Sequence, residues 1–289
     1  MGILDGKVVM IWGASANNGG TSANVMAGHG AKIVAIDLVP EAVDETVKFL
    51  HGKGYDAIGI TGNGTDEEFV KSAVAQAASH YGHVDASLNM VGRQYRWAVW
   101  EINLHDWKRE LDGFLTGGML VTKHVSKHMI DNEIKGSIIN ICSDAAHQGE
   151  PGNSGYSAAK GGLLNFSRAA AMDLAYYNIR VNTISPTYVE HNMWRFGGVT
   201  AARTRLRVTA NDFLQGIPLG RFCRATDVGE AAAFLASDMS SFITAVDIPL
   251  DGGAMRKYWA WTPAYSTGLT AEDYYANTKP TKYGEPIEE

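Results

Sequence analysis

Three side chains able to move or stabilise a proton lie close together in the sequence: Ser143, Tyr156 and Lys160. Tyr156 and Lys160 are four residues apart, so on a helix they share one face. A positive charge within about 4–6 Å favours the ionised form of a neighbouring acid, so we expect Lys160 to lower the pKa of Tyr156 from about 10. Ser143 could donate a hydrogen bond to the same substrate oxygen as negative charge develops on it. The three residues therefore predict proton transfer at an alcohol or ketone oxygen.

A buried strand and a helix are expected to bring these side chains together. Residues 138–142 are apolar and rich in β-branched side chains, which predicts a strand ending just before Ser143. From Gly155 the apolar residues recur every three or four positions, which predicts a helix carrying Tyr156 and Lys160. The Tyr-x-x-x-Lys spacing alone is common in exposed helices, and the serine at the strand end makes the pattern more specific.

Strands and helices alternate along the chain, which predicts an α/β fold. We expect a single domain with a doubly wound parallel sheet of about seven strands and helices on both faces. The predicted strands are residues 7–12, 32–37, 56–60, 84–90, 138–142, 179–185 and 245–250. The predicted helices are residues 19–29, 41–52, 66–81, one near 105–130 and one from 155.

The loop after the first strand has the composition of a dinucleotide-binding turn. Residues 13–20 are small, so the backbone can approach a pyrophosphate, and the following helix offers free N–H groups. Asp37 ends the second strand, where a carboxylate can accept both ribose hydroxyls and repels a 2′-phosphate. Neither residues 14–16 nor Leu38 provides a cation for such a phosphate. These features favour NAD as the cofactor over NADP.

The composition excludes several other classes of protein. The chain has 289 residues, of which 45% are hydrophobic and 19% charged, and its formal net charge is −6. Without a run of basic residues, binding to nucleic acid or to an anionic membrane is disfavoured. No apolar stretch approaches the roughly 18 residues of a membrane span and no signal segment begins the chain, so we expect a cytoplasmic protein. The two cysteines, Cys142 and Cys223, are not expected to pair.

In its ordered motifs, the chain resembles the short-chain dehydrogenase/reductase family over about residues 5–253. The residues that carry the resemblance are the glycine-rich loop 12–19, the Asn-Met-Val-Gly segment 89–92, the trio Ser143, Tyr156 and Lys160, the segment 180–186 and the Asp-Gly-Gly segment 251–253. The resemblance implies a Rossmann fold over residues 1–253, with 187–217 as the substrate-loop region and 254–289 as an aromatic-rich C-terminal extension.

The resemblance also implies an activity, hydride transfer between a nicotinamide cofactor and a secondary alcohol or ketone, usually in a homotetramer or homodimer. Tyr156 would be the acid–base group, Lys160 would also bind the nicotinamide ribose, and Ser143 would orient the substrate. The residues expected at the cofactor are Gly13, Ser15, Asn17, Asn18, Gly19, Asp37, Asn63, Gly64, Asn89, Val91, Tyr156, Lys160, Pro186 and Val189.

Two departures from the family pattern concern the catalytic and cofactor sites. Phe114 occupies the place of an asparagine that completes the family's catalytic set, so the usual water-linked proton route from Lys160 is in doubt. Asn17 replaces a glycine of the phosphate loop, and asparagine is the residue other than glycine that best tolerates left-handed backbone angles. These departures leave an alternative function open, an NAD(H)-binding sensor or scaffold without turnover.

Large aromatic side chains in the loops at residues 93–100 and 187–217 favour a bulky cyclic or aromatic substrate, such as a steroid, terpenoid or aromatic alcohol. The candidate substrate residues are Gln94, His147, Asn153, His191 and Trp194. We expect the first half of the extension to pack on the domain or on a neighbouring subunit near the active site, and residues 280–289 to be mobile.

Two other kinds of site fit the sequence less well. Ser157 and Lys160 match the Ser-x-x-Lys pattern of penicillin-recognising acyl enzymes, but no Lys-Thr-Gly follows. His124 and His128 are spaced as a metal pair on a helix, but no third ligand is spaced to join them, so no metal site is predicted.

Overall fold

One parallel sheet of seven strands forms the centre of the protein. The structure is a computed structural model and describes residues 2–190, 210–258, 271–276 and 281–286. The strands of the sheet are β1 (Val8–Trp12), β2 (Lys32–Asp37), β3 (Ala57–Thr61), β4 (Ala86–Asn89), β5 (Ser137–Ile141), β6 (Arg180–Pro186) and β7 (Asp247–Leu250). They lie in the order β3-β2-β1-β4-β5-β6-β7, and every neighbouring pair is parallel. The predicted α/β class and doubly wound sheet are confirmed.

Helices connect the strands and cover both faces of the sheet. They are α1 (Asn18–Gly28), α2 (Pro40–Gly52), α3 (Glu67–Tyr81), α4 (Leu104–Glu110), α5 (Gly117–Asp131), α6 (Ser154–Leu174), α7 (Ala210–Gly216), α8 (Ala225–Ala236) and α9 (Ala271–Ala276). Local signals set their ends. Asp66, for example, caps α3 by accepting from the N–H groups of Glu68 and Phe69, and Gly82 ends it with a left-handed φ of 88°.

Two hydrophobic cores hold this arrangement together, one on each face. On one face, residues of α1 and α8 pack on alternate side chains of the inner strands, among them Val9 and Ile11. On the other, residues of α3, α5 and α6 pack on side chains such as Val8 and Met10. Since consecutive strand residues point to opposite faces, every residue of β1 is buried.

The strand order places a crevice between β1 and β4. The chain leaves β1 towards β2 and β3 on one side and continues from β4 to β7 on the other. In open α/β sheets, the carboxyl ends of the strands at such a reversal form the usual ligand site. The loop after β1, the end of β2 and the segment after β4 all open onto this crevice.

The predicted helix near 105–130 differs from the structure in its middle. Between α4 and α5, residues Leu111–Thr116 form a π-helical turn, which accommodates more residues than an α-helical turn. Periodicity read from sequence assumes 3.6 residues per turn throughout, so it cannot reveal this local widening. The turn carries Phe114.

The end of the chain also differs from the prediction. Residues 281–286 were expected to be mobile, but they form a hairpin of β8 (Thr281–Lys282) and β9 (Glu285–Pro286). Its turn residue Tyr283 is only 3% exposed. The first half of the extension falls mostly on residues 259–270, outside the described ranges, so that part of the prediction stays a prediction.

Within the parts of the chain that the structure describes, no helix has both the length and the apolar character needed to cross a bilayer. Cys142 and Cys223 are buried, free thiols. His124 Nε2 lies 3.0 Å from Glu67 Oε1.

Candidate active site

Ser143 and Lys160 lie in a buried region at the carboxyl end of β5. Ser143 follows this strand by two residues and is 7% exposed, and Lys160, on α6, is 3% exposed. The Ser143 hydroxyl accepts a hydrogen bond from the Ala145 N–H at 3.2 Å and donates to Asp144 Oδ1 at 3.0 Å. The strand and the helix therefore bring the predicted residues to the same end of the sheet.

The Lys160 ammonium group is enclosed by backbone and aromatic rings. Its Nζ donates to the carbonyl of Ile141 at 2.5 Å and lies 4.4 Å from the ring centroid of Phe114 and 5.7 Å from that of Tyr156. Burial disfavours the charged form and lowers the pKa of Lys160 from 10.5 to about 8. The lysine is thus held beside Tyr156 at a substantial desolvation cost.

The prediction that the pKa of Tyr156 lies below its ordinary value of about 10 is wrong for this structure. Burial raises the pKa of the Tyr156 phenol above its ordinary value, and the carboxylates of Asp144 and Glu150 raise it further. Hydrogen bonding with the Ser143 hydroxyl opposes these effects without overcoming them. The spacing in the sequence gives the neighbours correctly, but it contains no information on desolvation, which is the largest effect here.

Phe114 contacts both Tyr156 and Lys160. Its ring packs edge-on against Tyr156, with centroids 5.0 Å apart and an interplanar angle of 80°. The ring also meets Gly92, where a Cβ atom would lie 2.2 Å from Phe114. The side of Lys160 that faces α5 is therefore closed by an aromatic ring.

A cavity of about 600 Å³ lies at the carboxyl ends of β1, β2 and β4, and Gly92, which meets Phe114, is among its lining residues. Six of the residues expected at the cofactor line it: Gly13, Ser15, Asp37, Asn63, Gly64 and Val91. Asp37 stands at its rim and accepts a hydrogen bond from the Val39 N–H at 3.1 Å. Ile36, Leu38 and Val91 supply apolar walls for a flat ring. The lining fits the adenosine half of a dinucleotide.

The loop after β1 has the tight backbone that a pyrophosphate site needs. Gly13 has a left-handed φ of 87°, and a Cβ atom on Gly19 would lie 1.9 Å from the Gly13 carbonyl oxygen. Asn18 Oδ1 is buried and has no hydrogen-bond partner among the described residues, which leaves a polar group for a ligand to satisfy. Asn17 has φ −81°, so the left-handed conformation considered for it is not adopted.

Three further residues expected at the cofactor do not line the cavity. Asn89 is buried, and its side chain donates to Asn140 Oδ1 and accepts from the Val91 N–H. It therefore shapes the segment after β4 and does not line the cavity. Pro186 ends β6, and Val189 is buried in the core.

Two of the predicted substrate residues belong to a polar network that joins two loops. Gln94 Nε2 donates to Asn153 Oδ1 at 2.7 Å, and Asn153 Nδ2 donates to Glu150 Oε2 at 2.6 Å. Glu150 Oε1 also accepts from Arg96 at 2.8 Å and from the Tyr188 hydroxyl at 2.9 Å. These residues form a polar wall around Glu150, which is more polar than the aromatic composition of the loops indicates.

The other predicted substrate residues have different positions. His147 Nε2 lies 2.8 Å from Asp247 Oδ2, which ties its ring to β7 at the edge of the sheet. His191 and Trp194 lie outside the described residues.

Sequence reasoning missed two carboxyl groups at the site. Asp144, directly after Ser143, binds the hydroxyls of Ser143 and Thr187, and burial raises its pKa. Glu110 is 3% exposed and accepts the Tyr95 N–H at 2.7 Å. The position of Asp144 next to the candidate residue Ser143 was a usable signal, whereas nothing in the sequence around Glu110 marks it as buried.

Comparison with known proteins gives consistent matches. Residues 13–255 match a family model described as enoyl-(acyl carrier protein) reductase. The chain is 36% identical to trans-4-hydroxycyclohexanecarboxylate dehydrogenase of Sinomonas cyclohexanicum, over 86% of this chain and 92% of that protein. It is 33% identical to a 3-oxoacyl-acyl-carrier-protein reductase of Thermotoga maritima, over 86% of this chain and 98% of that protein.

The structural comparison agrees with these matches. A crystal structure of an NAD⁺-bound xylitol dehydrogenase superimposes with a TM-score of 0.79 at 31% identity, covering 86% of this chain and 99% of the other. Together with the parallel sheet, the glycine-rich loop and the residues at the end of β5, these matches place the chain among oxidoreductases that use nicotinamide cofactors. The chain belongs to the short-chain dehydrogenase/reductase family.

Proposed function

We propose that this protein is an NAD-dependent dehydrogenase that interconverts a secondary alcohol and the matching ketone, with Ser143, Tyr156 and Lys160 as its catalytic residues. The observation that carries the proposal is the position of these residues at the end of β5 and on α6, where Phe114 joins Tyr156 and Lys160 to Gly92 in the lining of the cavity after β1. A bound nicotinamide would accept or supply the hydride.

Each member of the trio has a defined part in the proposed reaction. The raised pKa of Tyr156 keeps the phenol protonated near neutral pH, so it is ready to donate a proton to a ketone oxygen. In the direction of alcohol oxidation it takes that proton back. Ser143 orients the substrate oxygen. The charge of Lys160 stabilises the phenolate that forms when Tyr156 gives up its proton.

Asp37 supports NAD as the cofactor in this proposal. Its carboxylate lines the rim of the cavity, where it can accept hydrogen bonds from the two adenosine ribose hydroxyls. The residues next to Asp37, Leu38 and Val39, are apolar and provide no charge to balance a 2′-phosphate. The two arginines that line the same cavity, Arg93 and Arg109, both lie over the Tyr95 ring. The NAD⁺-bound xylitol dehydrogenase among the similar structures supports the same choice.

For the substrate we propose a cyclic secondary alcohol or its ketone. The relative from Sinomonas cyclohexanicum is named for a hydroxycyclohexanecarboxylate substrate, and the aromatic residues near the site suit a ring. The polar wall around Glu150 favours a ring that carries at least one further hydrogen-bonding group. A simple hydrocarbon ring would leave part of that wall unsatisfied.

We further propose that residues 1–253 form the catalytic domain, with 254–289 as an extension, and that the protein is a homotetramer or homodimer. Phe242 is fully exposed and Met239 is 67% exposed, both close to the open edge at β7. Exposed apolar groups beside an open sheet edge favour association with another chain.

The test is an assay of NADH formation at 340 nm with NAD and a panel of cyclic, aromatic and steroid alcohols, and with NADP in parallel. We expect turnover with NAD, and we expect Tyr156→Phe to lower kcat at least about 100-fold, the lower end of the usual effect of an acid–base group. Tyr176→Phe is the matched control, because Tyr176 is 87% exposed and is not one of the proposed site residues. Turnover that survives in Tyr156→Phe would refute the assignment of Tyr156.

A second candidate function is a dinucleotide-binding sensor without turnover. The observation in its favour is the Phe114 ring that covers Lys160 Nζ at 4.4 Å and closes the space where a water could relay protons. This candidate predicts tight NADH binding with no turnover on the whole panel. It also predicts that Tyr156→Phe behaves as the wild type does in every measurement.

A further inference from the structure

The C-terminal hairpin, residues 281–286, packs against the loop that joins β1 to α1, residues 13–17, which is the proposed cofactor loop. Its turn consists of Tyr283 and Gly284, both with positive φ, 55° and 81°, which is the pattern of a two-residue type I′ turn. A positive φ is uncommon for a tyrosine and persists where the surroundings hold it. The Tyr283 ring stacks on Phe49 of α2, with centroids 4.1 Å apart and an interplanar angle of 15°.

A chain of hydrogen bonds joins the Tyr283 side chain to the cofactor loop. Thr46 Oγ1 donates its only proton to the carbonyl of Ala14 at 2.7 Å. The Tyr283 hydroxyl, 3.2 Å from Thr46 Oγ1, must therefore be the donor in that second bond. Ala14 follows Gly13 in the loop, so the phenol and the loop backbone are two hydrogen bonds apart.

The Tyr283 backbone makes a second connection to the same region. Its N–H donates to the carbonyl of Ala16 at 3.3 Å, and its carbonyl accepts from Asn24 Nδ2 of α1 at 2.8 Å. Gly20, at the start of α1, leaves room for the ring: a Cβ atom there would lie 2.7 Å from it. The hairpin thus contacts the loop and both helices that flank it.

We propose that Tyr283 is a positioning residue for the cofactor: the docked hairpin holds the backbone of residues 14–16 in the shape that receives the dinucleotide pyrophosphate. This inference rests on the proposed cofactor site. Tyr283 does not line the cavity. Its effect is therefore on the conformation of the loop.

Docking of the hairpin and binding of the cofactor are then coupled, and the coupling is reciprocal. When the hairpin is docked, the loop is already ordered. Binding of the dinucleotide then no longer includes the entropic cost of ordering the loop, so it is tighter. A bound dinucleotide, in turn, makes the hairpin dock more firmly. Hydride transfer itself is unaffected once the cofactor is bound.

The experiment measures the Kd of NADH by fluorescence titration, with NADPH in parallel, for the full-length protein. We expect Tyr283→Ala to raise the Kd about 10-fold, within the usual range of coupling between sites. Tyr283→Phe keeps the ring stacking and loses only the link to Thr46, so we expect a rise of about 3-fold. Glu45→Gln is the matched control, because it removes the exposed ion pair with Lys282 and leaves Lys282 over the Tyr283 ring. We expect it to leave the Kd unchanged.

Two further measurements separate positioning from a general loss of stability. In steady-state assays, Tyr283→Ala is expected to raise the KM for NAD while kcat at saturating NAD stays at the wild-type value. Gly284→Val disturbs the turn without changing Tyr283, because Gly284 has a positive φ and its Cβ atom would lie 2.8 Å from Thr226. We expect it to raise the Kd as Tyr283→Ala does.

The wild-type protein supplies a test that needs no variant. We expect NADH to slow hydrogen exchange at the Tyr283 amide about 10-fold, by the reciprocity of the coupling. Unchanged exchange, or a Kd in Tyr283→Ala within twofold of wild type, overturns the inference and leaves the proposed function standing. A wild-type protein that binds neither NADH nor NADPH overturns both.

Discussion

Replacing Lys160 with methionine is expected to make the folded protein more stable at neutral pH while removing a catalytic group. Burial lowers the pKa of Lys160 from 10.5 to about 8. Keeping the side chain charged in the fold therefore costs about 3 kcal/mol at pH 7. Methionine has a similar shape and no charge, but it leaves the Ile141 carbonyl without a donor, a loss of about 1 kcal/mol. The expected net gain in the free energy of unfolding is about 2 kcal/mol.

This gain depends on pH in a direction fixed by the sign of the pKa change. Between pH 8 and 10.5, the unfolded chain carries a proton on Lys160 that the folded chain has lost, so the contribution of this residue to stability rises with pH. The wild type therefore recovers stability relative to Lys160→Met, and we expect the difference to disappear near pH 10. Contributions from Cys142 and Tyr156, which titrate in the alkaline range, are common to both proteins and cancel.

Urea unfolding without cofactor, followed by tryptophan fluorescence at pH 7 and pH 10, tests this expectation. Lys108→Met is the control, because Lys108 is exposed on α4, and it should show no pH-dependent difference from wild type. A Lys160→Met protein less stable than wild type at pH 7 would refute the reasoning. It would mean that the carbonyl of Ile141 and the Phe114 ring compensate the buried charge fully.

Two other substitutions test the cofactor pocket and the packing at the site. We expect Asp37→Ser to raise kcat/KM with NADP at least about 10-fold and to lower it with NAD, since a carboxylate that repels a 2′-phosphate is removed. Steady-state kinetics with both cofactors tests this prediction. An unchanged preference for NAD over NADP would contradict the role of Asp37. We expect Gly92→Ala to lower the free energy of unfolding by at least about 2 kcal/mol, because its φ is 134° and the new methyl group would lie 2.2 Å from Phe114. Gly54→Ala, with a φ of 80° and open space around it, is the comparison in thermal unfolding, and an equal loss in the two variants would show that the Phe114 contact has no effect.

The alternation of short apolar runs with helical segments along the sequence predicted the sheet. All seven strands occur within two residues of their expected limits, because strands buried on both faces appear as short apolar runs between polar turns. The hairpin at 281–286 was not predicted. Its strands have two residues each, too few to show any periodicity, and its docking depends on an aromatic contact with Phe49 far away in the sequence.

The sequence identified the residues of the candidate site, but it did not predict their pKa values. Local spacing and motif order led to Ser143, Tyr156 and Lys160, and the structure brings Ser143 and Lys160 to the same buried region. The pKa of Tyr156 depends on how much water reaches the phenol, which is a property of the packed fold. The contact between Gln94 and Asn153 likewise joins two loops that are distant in sequence, so no local pattern could reveal it.

The two buried thiols can be used to measure local unfolding in this protein. Burial raises the pKa of both Cys142 and Cys223 to about 12, so the reactive thiolate is a fraction on the order of 10⁻⁵ at pH 7. An alkylating reagent can then react only in molecules whose surroundings have opened transiently. Cys142 reports the opening of the sheet centre next to Ser143, and Cys223 reports the opening of the segment before α8. The labelling rate of each thiol therefore measures the local stability of a different part of the molecule.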